Sequence, residues 1–226
     1  LRALRGSGFG GAVIASATAD TSAGMAPTGM AMPGPYEWVP PGYWSTPGAP
    51  GRAIGFTTET GPGASIPALE RLVRMLAPDE QTALWRSPDV PQAHAGTGPH
   101  FATLGAFWRA LAARLGTPTS LADYVRKAQL MNFEAERAYF EAASADREAA
   151  SGIVHWLANG AWPTLHWSLW NADLATAGGY YGARLHQGGA PYGAAVPASR
   201  HAGRPRRSQA RPSHRRAGDA DLPVGV

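Results

Sequence analysis

The stretch GFTTETGPGAS, residues 55–65, sets one carboxylate, Glu59, among threonines, after an apolar run and just before two glycines. A carboxylate at the end of a strand can act as a nucleophile or as a general acid or base, because strand ends converge and helix N-termini point toward them. The same position suits a helix cap or a solvated loop acid, and residue type alone does not separate these readings. His94, His100, His155 and His166 match no zinc-ligand spacing, so satisfied or exposed histidines are expected and no metal site. GSGFGG, residues 6–11, imitates a phosphate loop but precedes its strand, the wrong order for dinucleotide binding.

Elements must exist to hold Glu59 in place. GGAVIASATADT reads as a strand buried on both faces, GPYEWVPPGYW as a brief β-prone piece stopped by Pro40 and Pro41, and RAIGFTTETG as a further strand ending at Gly61-Pro62-Gly63. A helix is expected over SIPALERLVRMLA, capped by Ser65, with Ile66, Leu69, Val73 and Leu76 on one face. A second follows in LGAFWRALAARLG, with Phe107, Leu111 and Leu115 inward and Gly116 at the C-terminal cap. The longest, SLADYVRKAQLMNFEAERAYFEAAS, has Ser120 and Asp123 at capping-box spacing and a stripe of Leu121, Tyr124, Ala128, Met131, Ala135 and Tyr139. SGIVHWLANGAWPTLHWSLWN opens as a strand and continues as an aromatic-rich loop. Apolar strands separated by helices or long loops argue for a parallel sheet of the α/β class, and four of them would make half a barrel.

Composition bounds the partners. The chain has 226 residues and a hydrophobic fraction of 44%, enough for a real core, and it contains no cysteine, so disulfides and thiolate metal sites are excluded. No apolar run reaches the roughly 18 residues of a membrane span. The pI of 9.8 belongs to the end of the chain, since 8 of the 20 basic residues but only 2 of the 16 acidic ones lie beyond residue 182. Arginine supplies all the basic residues except Lys127, which reads as coding bias before it reads as a nucleic-acid surface, and no nucleic-acid partner is expected. The N-terminal LRALRGSGFGGAVIASATAD is not a signal peptide by this reading, and Leu1 is expected to be a truncation point.

Taken together, SATADT, GPYEWVPPGYW, GFTTETGPGASIPALERLVRML, HAGTG, TSLADYVRKAQLMNFEAERAYFEA and GIVHWLANGAWPTLHWSLWN resemble the C-terminal half of the catalytic (β/α)8 barrel of glycoside hydrolase family 2, in its exo-β-D-glucosaminidase branch. The resemblance runs from about Gly11 to about Gly182. It implies a partial TIM barrel, approximately strands 5 to 8, that removes β-linked glucosamine from the non-reducing ends of chitosan oligosaccharides with retention and without a cofactor. In a retaining mechanism one carboxylate attacks the anomeric carbon and a second, about 5 Å away, protonates the leaving oxygen and then activates water. The position of the nucleophile is Glu59. The acid/base partner of the family lies upstream of everything present, so an inactive or nearly inactive chain is expected, poorly soluble without the strands that would close the barrel.

The resemblance also assigns contacts to the sugar. Tyr36 is expected to hydrogen-bond the nucleophile or simply to pack, and Glu37 to contact the sugar or make a structural hydrogen bond. Trp156 matches the tryptophan that floors the sugar site, where C–H faces stack on an indole. Asn159 and Trp162 line the same pocket or belong to a packing cluster. A non-catalytic carbohydrate-binding remnant, or a β-mannosidase- or β-galactosidase-like member, are the alternatives; the oligomeric state is not legible. Family members that digest chitosan are commonly exported, which suggests an extracellular full-length protein. Residues 1–182 are thus read as catalytic-domain sequence and 183–226 as a disordered Arg/Pro-rich tail, through loss of the reading frame near Ala183 or as a genuine basic extension.

Overall fold

The structure, a computed structural model, describes residues 2–11, 30–32, 34–49, 55–98, 100–145 and 147–187. These belong to the first of the two units into which the chain divides, Leu1–Ala194. The strand expected within residues 10–21, and the tail beyond Gln187, lie outside the described residues.

After a short helix α1 (Arg2–Gly6), the described strands form one parallel sheet in the order β1 (Met30–Ala31), β2 (Gly55–Thr60) and β3 (Ala150–His155). The α/β class with a parallel sheet is as expected. The strand content of GPYEWVPPGYW is not: that piece is extended and then coils into a 3-10 helix at Pro41–Ser45, while the strand beside β2 is Met30–Ala31, just upstream. Prolines explain the displacement, because Pro35, Pro40 and Pro41 cannot donate to a ladder. Instead the Pro35 carbonyl accepts from the Gly61 N–H at 3.3 Å and from the Thr60 hydroxyl at 3.1 Å. This ties the segment to the end of β2 without strand pairing.

The β2/β3 register runs Thr57↔Ile153 and then Thr60↔His155, so β2 carries one more residue than its partner over this interval. Such a bulge re-aims the side chains beyond it. Thr57 and Thr60 are both buried, at 1% and 0% exposure, and Glu59, which strict alternation would place with Thr57, is half-buried at the strand end.

Between β2 and β3 the chain forms α2 (Leu69–Met75), α3 (Pro78–Arg86), α4 (Gly105–Leu115) and α5 (Leu121–Ala145). They share one core that includes Ile66, Leu72, Leu84, Leu111, Tyr124 and Met131. α2 starts three residues later than expected, with Ala68 rather than Ser65 at the cap position. Ile66 precedes a proline and is kept out of the helical region, and Ser65 does not cap: its hydroxyl donates to the Ser168 carbonyl at 2.5 Å. The inward stripe of α2 is Leu69, Leu72 and Leu76, and Val73 is exposed. α3 was not foreseen, although Pro78 at its first turn, with Asp79 and Glu80 behind it, is a recognisable start.

α4 and α5 follow their sequence signals. Gly116 ends α4 at φ 83°, a conformation that favours glycine. At the start of α5 the Ser120 hydroxyl accepts the Asp123 N–H at 3.1 Å. Asp123 in turn accepts from Lys127 at 2.9 Å and from the Thr119 N–H, which hold its carboxyl down to about 2. Tyr124, Ala128, Met131, Ala135 and Tyr139 are fully buried along the expected stripe, with Leu121 half-buried.

The last helix among the described residues, α6 (Gly178–Gln187), packs on α5 and runs through Ala183 without interruption. Gly178, Gly179 and Gly182 make this possible. A Cβ at any of them would overlap α5 at the Gln129 carbonyl, at Glu136 and Asn132, or at the Phe133 carbonyl. The Gly179 N–H also donates to Asn132 Oδ1 at 2.6 Å.

Candidate active site

Glu59 sits where β2 leaves the sheet, and the Tyr36 hydroxyl donates to its Oε1 at 2.7 Å. Tyr36 is itself held from two sides. The Trp167 indole N–H donates to the Tyr36 carbonyl at 2.7 Å, and the two rings meet edge to face at 6.3 Å. Burial, reinforced by the hydrogen bond and the charge of Glu59, pushes the Tyr36 hydroxyl up to about 12. It therefore stays protonated near neutrality and serves as a fixed donor that orients the carboxylate.

Trp156 follows β3 directly. Its N–H donates to the Thr60 carbonyl at 2.7 Å, so its backbone is anchored one residue beyond Glu59 while its side chain stays 41% exposed. Gly61 allows the two strand ends to meet, because a Cβ there would overlap the Trp156 carbonyl and press on the Trp167 ring. Tyr36, Glu59 and Trp156 thus gather at the C-terminal edge of one parallel sheet, where α/β folds place ligand-binding groups.

The remaining expected contacts sit differently. Glu37 is exposed and faces His100 Nδ1 at 3.8 Å, beside a small cavity of about 70 Å³ that Tyr36 and Trp38 also line. Asn159 is exposed and pairs through its backbone with Trp170. Trp162 is half exposed and stacks on His94, with centroids 5.6 Å apart.

Sequence reading missed a buried polar layer under this edge. His155, the last residue of β3, turns inward and donates from Nε2 to the Trp167 carbonyl at 3.0 Å, and its Nδ1 faces Glu136 Oε2 of α5 at 3.4 Å. The spacing would suit an ion pair, but burial opposes both charges. It pushes Glu136 well above the ordinary carboxyl range and brings His155 down to about 4. Burial thus disfavours charge on both groups, and Glu136 Oε2 and His155 Nδ1 face each other with no hydrogen-bond partner among the described residues. Contacts then run from Glu136 through His155 to Trp167, and from Trp167 through Tyr36 to Glu59. The only signal in the sequence was a glutamate beside the apolar stripe, a position that usually reads as a solvated flank. His166 is likewise buried, donates from Nε2 to the Phe101 carbonyl at 3.2 Å, and is brought down to about 4 by desolvation. His94 pairs its Nδ1 with the Pro163 carbonyl at 2.8 Å.

No protein-family model matches the chain. It is 42% identical over 188 residues to the exo-β-D-glucosaminidase of Streptomyces avermitilis, a match covering 81% of this chain and 21% of that protein. It is 38% identical over 192 residues to the exo-β-D-glucosaminidase of Hypocrea jecorina, covering 81% of this chain and 22% of the relative. Among solved structures, the exo-chitosanase CsxA of Amycolatopsis orientalis matches with a TM-score of 0.77 at 36% identity, over 81% of this chain and 22% of that one. The chain therefore spans about a fifth of the length of the curated relatives it matches. Agreement in sequence and in backbone over four fifths of its own residues has one reading: the chain belongs to the exo-β-D-glucosaminidase type of glycoside hydrolase family 2, as a segment corresponding to part of those enzymes.

Proposed function

We propose that this segment carries the nucleophile side of a retaining exo-β-D-glucosaminidase site, built on the C-terminal part of a (β/α)8 barrel. The observation that carries the reading is the 2.7 Å hydrogen bond from the Tyr36 hydroxyl to Glu59 Oε1 at the edge of a parallel sheet. Glu59 attacks the anomeric carbon of a terminal glucosamine, and the glycosidic oxygen leaves with a proton from a second carboxylic acid. Water then attacks the glycosyl ester, gives its proton to that second group, and frees the sugar with its configuration retained. The second carboxyl group is supplied by sequence outside these residues. The exposed indole of Trp156, anchored beside Glu59, offers a face for the C–H surface of the sugar. Glu37, Asn159 and Trp162 have a weaker claim, since their described contacts lead to His100, Trp170 and His94.

The test supplies the missing part. The aligned residues of this chain are grafted in place of the matching fifth of the Streptomyces avermitilis enzyme, and hydrolysis of a chromogenic β-glucosaminide is measured. The expected result is an active chimera whose Glu59→Gln form is folded and dead, and whose active form is labelled on Glu59 by a fluorinated glucosaminide in mass spectrometry. Label on another residue, or full activity after Glu59→Gln, overturns the assignment. The 226-residue chain by itself is expected to give no turnover above background, whereas binding of glucosamine oligomers without turnover in the chimera would favour a purely carbohydrate-binding role.

A further inference from the structure

A second concavity, of about 450 Å³, opens between α2 and the loops that carry Pro163–Thr164 and Asn171–Asp173. None of its lining residues is Glu59, Tyr36 or Trp156. Its volume falls within the roughly 300–1,000 Å³ range of small-molecule sites. Met75, Pro67 and Pro163 give it apolar walls, and His94, backed by the stacked Trp162 ring, closes one side.

Three of its buried polar atoms are unsatisfied, as are six others elsewhere among the described residues. Asn171 is only 8% exposed, yet neither its Nδ2 nor its Oδ1 has a hydrogen-bond partner. Arg71 donates from Nη1 to Asp173 at 2.7 Å, while its buried Nε has no partner. Arg74 lines the same cleft and has no carboxylate partner among the described residues. Buried polar atoms are nearly always paired, so a buried amide missing both a donor and an acceptor, beside a guanidinium nitrogen without a partner, leaves hydrogen-bonding capacity that another molecule can complete.

We propose that this cleft binds a sugar acid, a hydroxy-carboxylate of hexuronate size. Hydroxyl groups donate and accept at once, which is what the Asn171 amide requires, and a carboxylate matches the fork of Arg74. Two guanidinium groups against the single carboxylate of Asp173 leave the cleft cationic. It therefore disfavours glucosamine, whose ammonium is positive, and this sets it apart from a subsite for the proposed substrate. A neutral hexose would meet Asn171 and leave Arg74 unpaired.

The test is calorimetry on the purified full chain with D-glucuronate, D-glucose and D-glucosamine at low salt. Glucuronate is expected to bind at least about ten-fold more tightly than either of the others. Asn171→Ala and Arg74→Gln, each checked for an unchanged circular dichroism spectrum, are expected to weaken glucuronate about ten-fold or more, while Glu59→Gln leaves it unchanged. Equal affinity for the three sugars, no measurable binding of glucuronate, or retention of binding in both folded cleft variants overturns the proposal. Loss of binding in Glu59→Gln alone overturns the location. Because the chimera experiment reads Glu59 chemistry and this one reads a carboxylate at Arg74, either can fail without the other.

Discussion

The sheet edge around Glu59 and the cleft beside α2 handle polar groups in opposite ways. At the edge itself the polar groups around Glu59 are spoken for: the Tyr36 hydroxyl by Glu59, its carbonyl by Trp167, the Pro35 carbonyl by Gly61 and Thr60, and the Thr60 carbonyl by Trp156, while in the layer beneath Glu136 Oε2, His155 Nδ1 and His166 Nδ1 have no partner among the described residues. In the cleft a buried amide and a guanidinium nitrogen have no partner. A satisfied network fixes geometry before a ligand arrives, which is what a nucleophile needs, because misplacement by an ångström costs orders of magnitude in rate. An unsatisfied cluster keeps its hydrogen-bonding capacity for whatever enters. On the two proposals, the difference separates a group positioned to react from groups left ready to bind.

That contrast is breakable, and the largest effect is expected at the proposed nucleophile. In the chimera Glu59→Gln should lower kcat by about 10⁴-fold or more with the fold intact, measured as hydrolysis of a chromogenic glucosaminide. A loss of only a few-fold would mean that the ordered edge is structural.

The next effect is on stability against pH. His155 and His166 have folded-state pKa values of about 4 against 6.5 in the unfolded chain, so the unfolded state takes up protons first as pH falls. Stability that is fully present above pH 6.5 is expected to be lost down to about pH 4, on the order of 3 kcal/mol for each histidine. Glu136 works in the other sense: its pKa is raised above 4.5, so its contribution is present below that pH and is lost as pH climbs. Urea unfolding across this range checks both limbs, and Glu136→Gln should remove the alkaline-side loss while leaving the acid limb.

Gly61→Ala is expected to cost about 2–4 kcal/mol in the same urea measurement, since the added carbon has backbone in its way and the strand ends must part. Tyr36→Phe should lower kcat of the chimera by about 10- to 100-fold with little change in KM, because the donor is removed but the pocket shape remains. The smallest effect sharpens the comparison most. Asn171→Ala is expected to change stability by less than about 0.5 kcal/mol, because it removes polar atoms that make no bond in the folded chain. A large destabilisation would show that the amide has a structural partner, and the contrast between the two regions would fail.

How much of this was legible in the sequence depends on whether the signal is local. The stripe of α5, its Ser120 and Asp123 start, and the Gly116 end of α4 could be read because spacing and capping chemistry act within a few residues. α6 could not, since a helix with three glycines among its first five residues contradicts propensity; contact with α5, which tolerates no Cβ at those positions, overrides it. Ser65 looked like a cap and instead bonds a residue about 100 positions away. Tyr36 and Trp156 reached Glu59 in the reading only through family resemblance, and no spacing in the chain encodes their approach.

The sequence by itself determined the α/β class, the long helices, the candidate nucleophile and the relationship to glucosaminidases, because each rests on periodicity, local chemistry or matching text. Tertiary structure alone decided the bulge before Glu59, the tyrosine that bonds it, the buried Glu136–His155 pair and the unpaired Asn171 side chain. These depend on which distant groups share a low-dielectric space, and neither burial nor the partner of a polar atom is written in its neighbours along the chain.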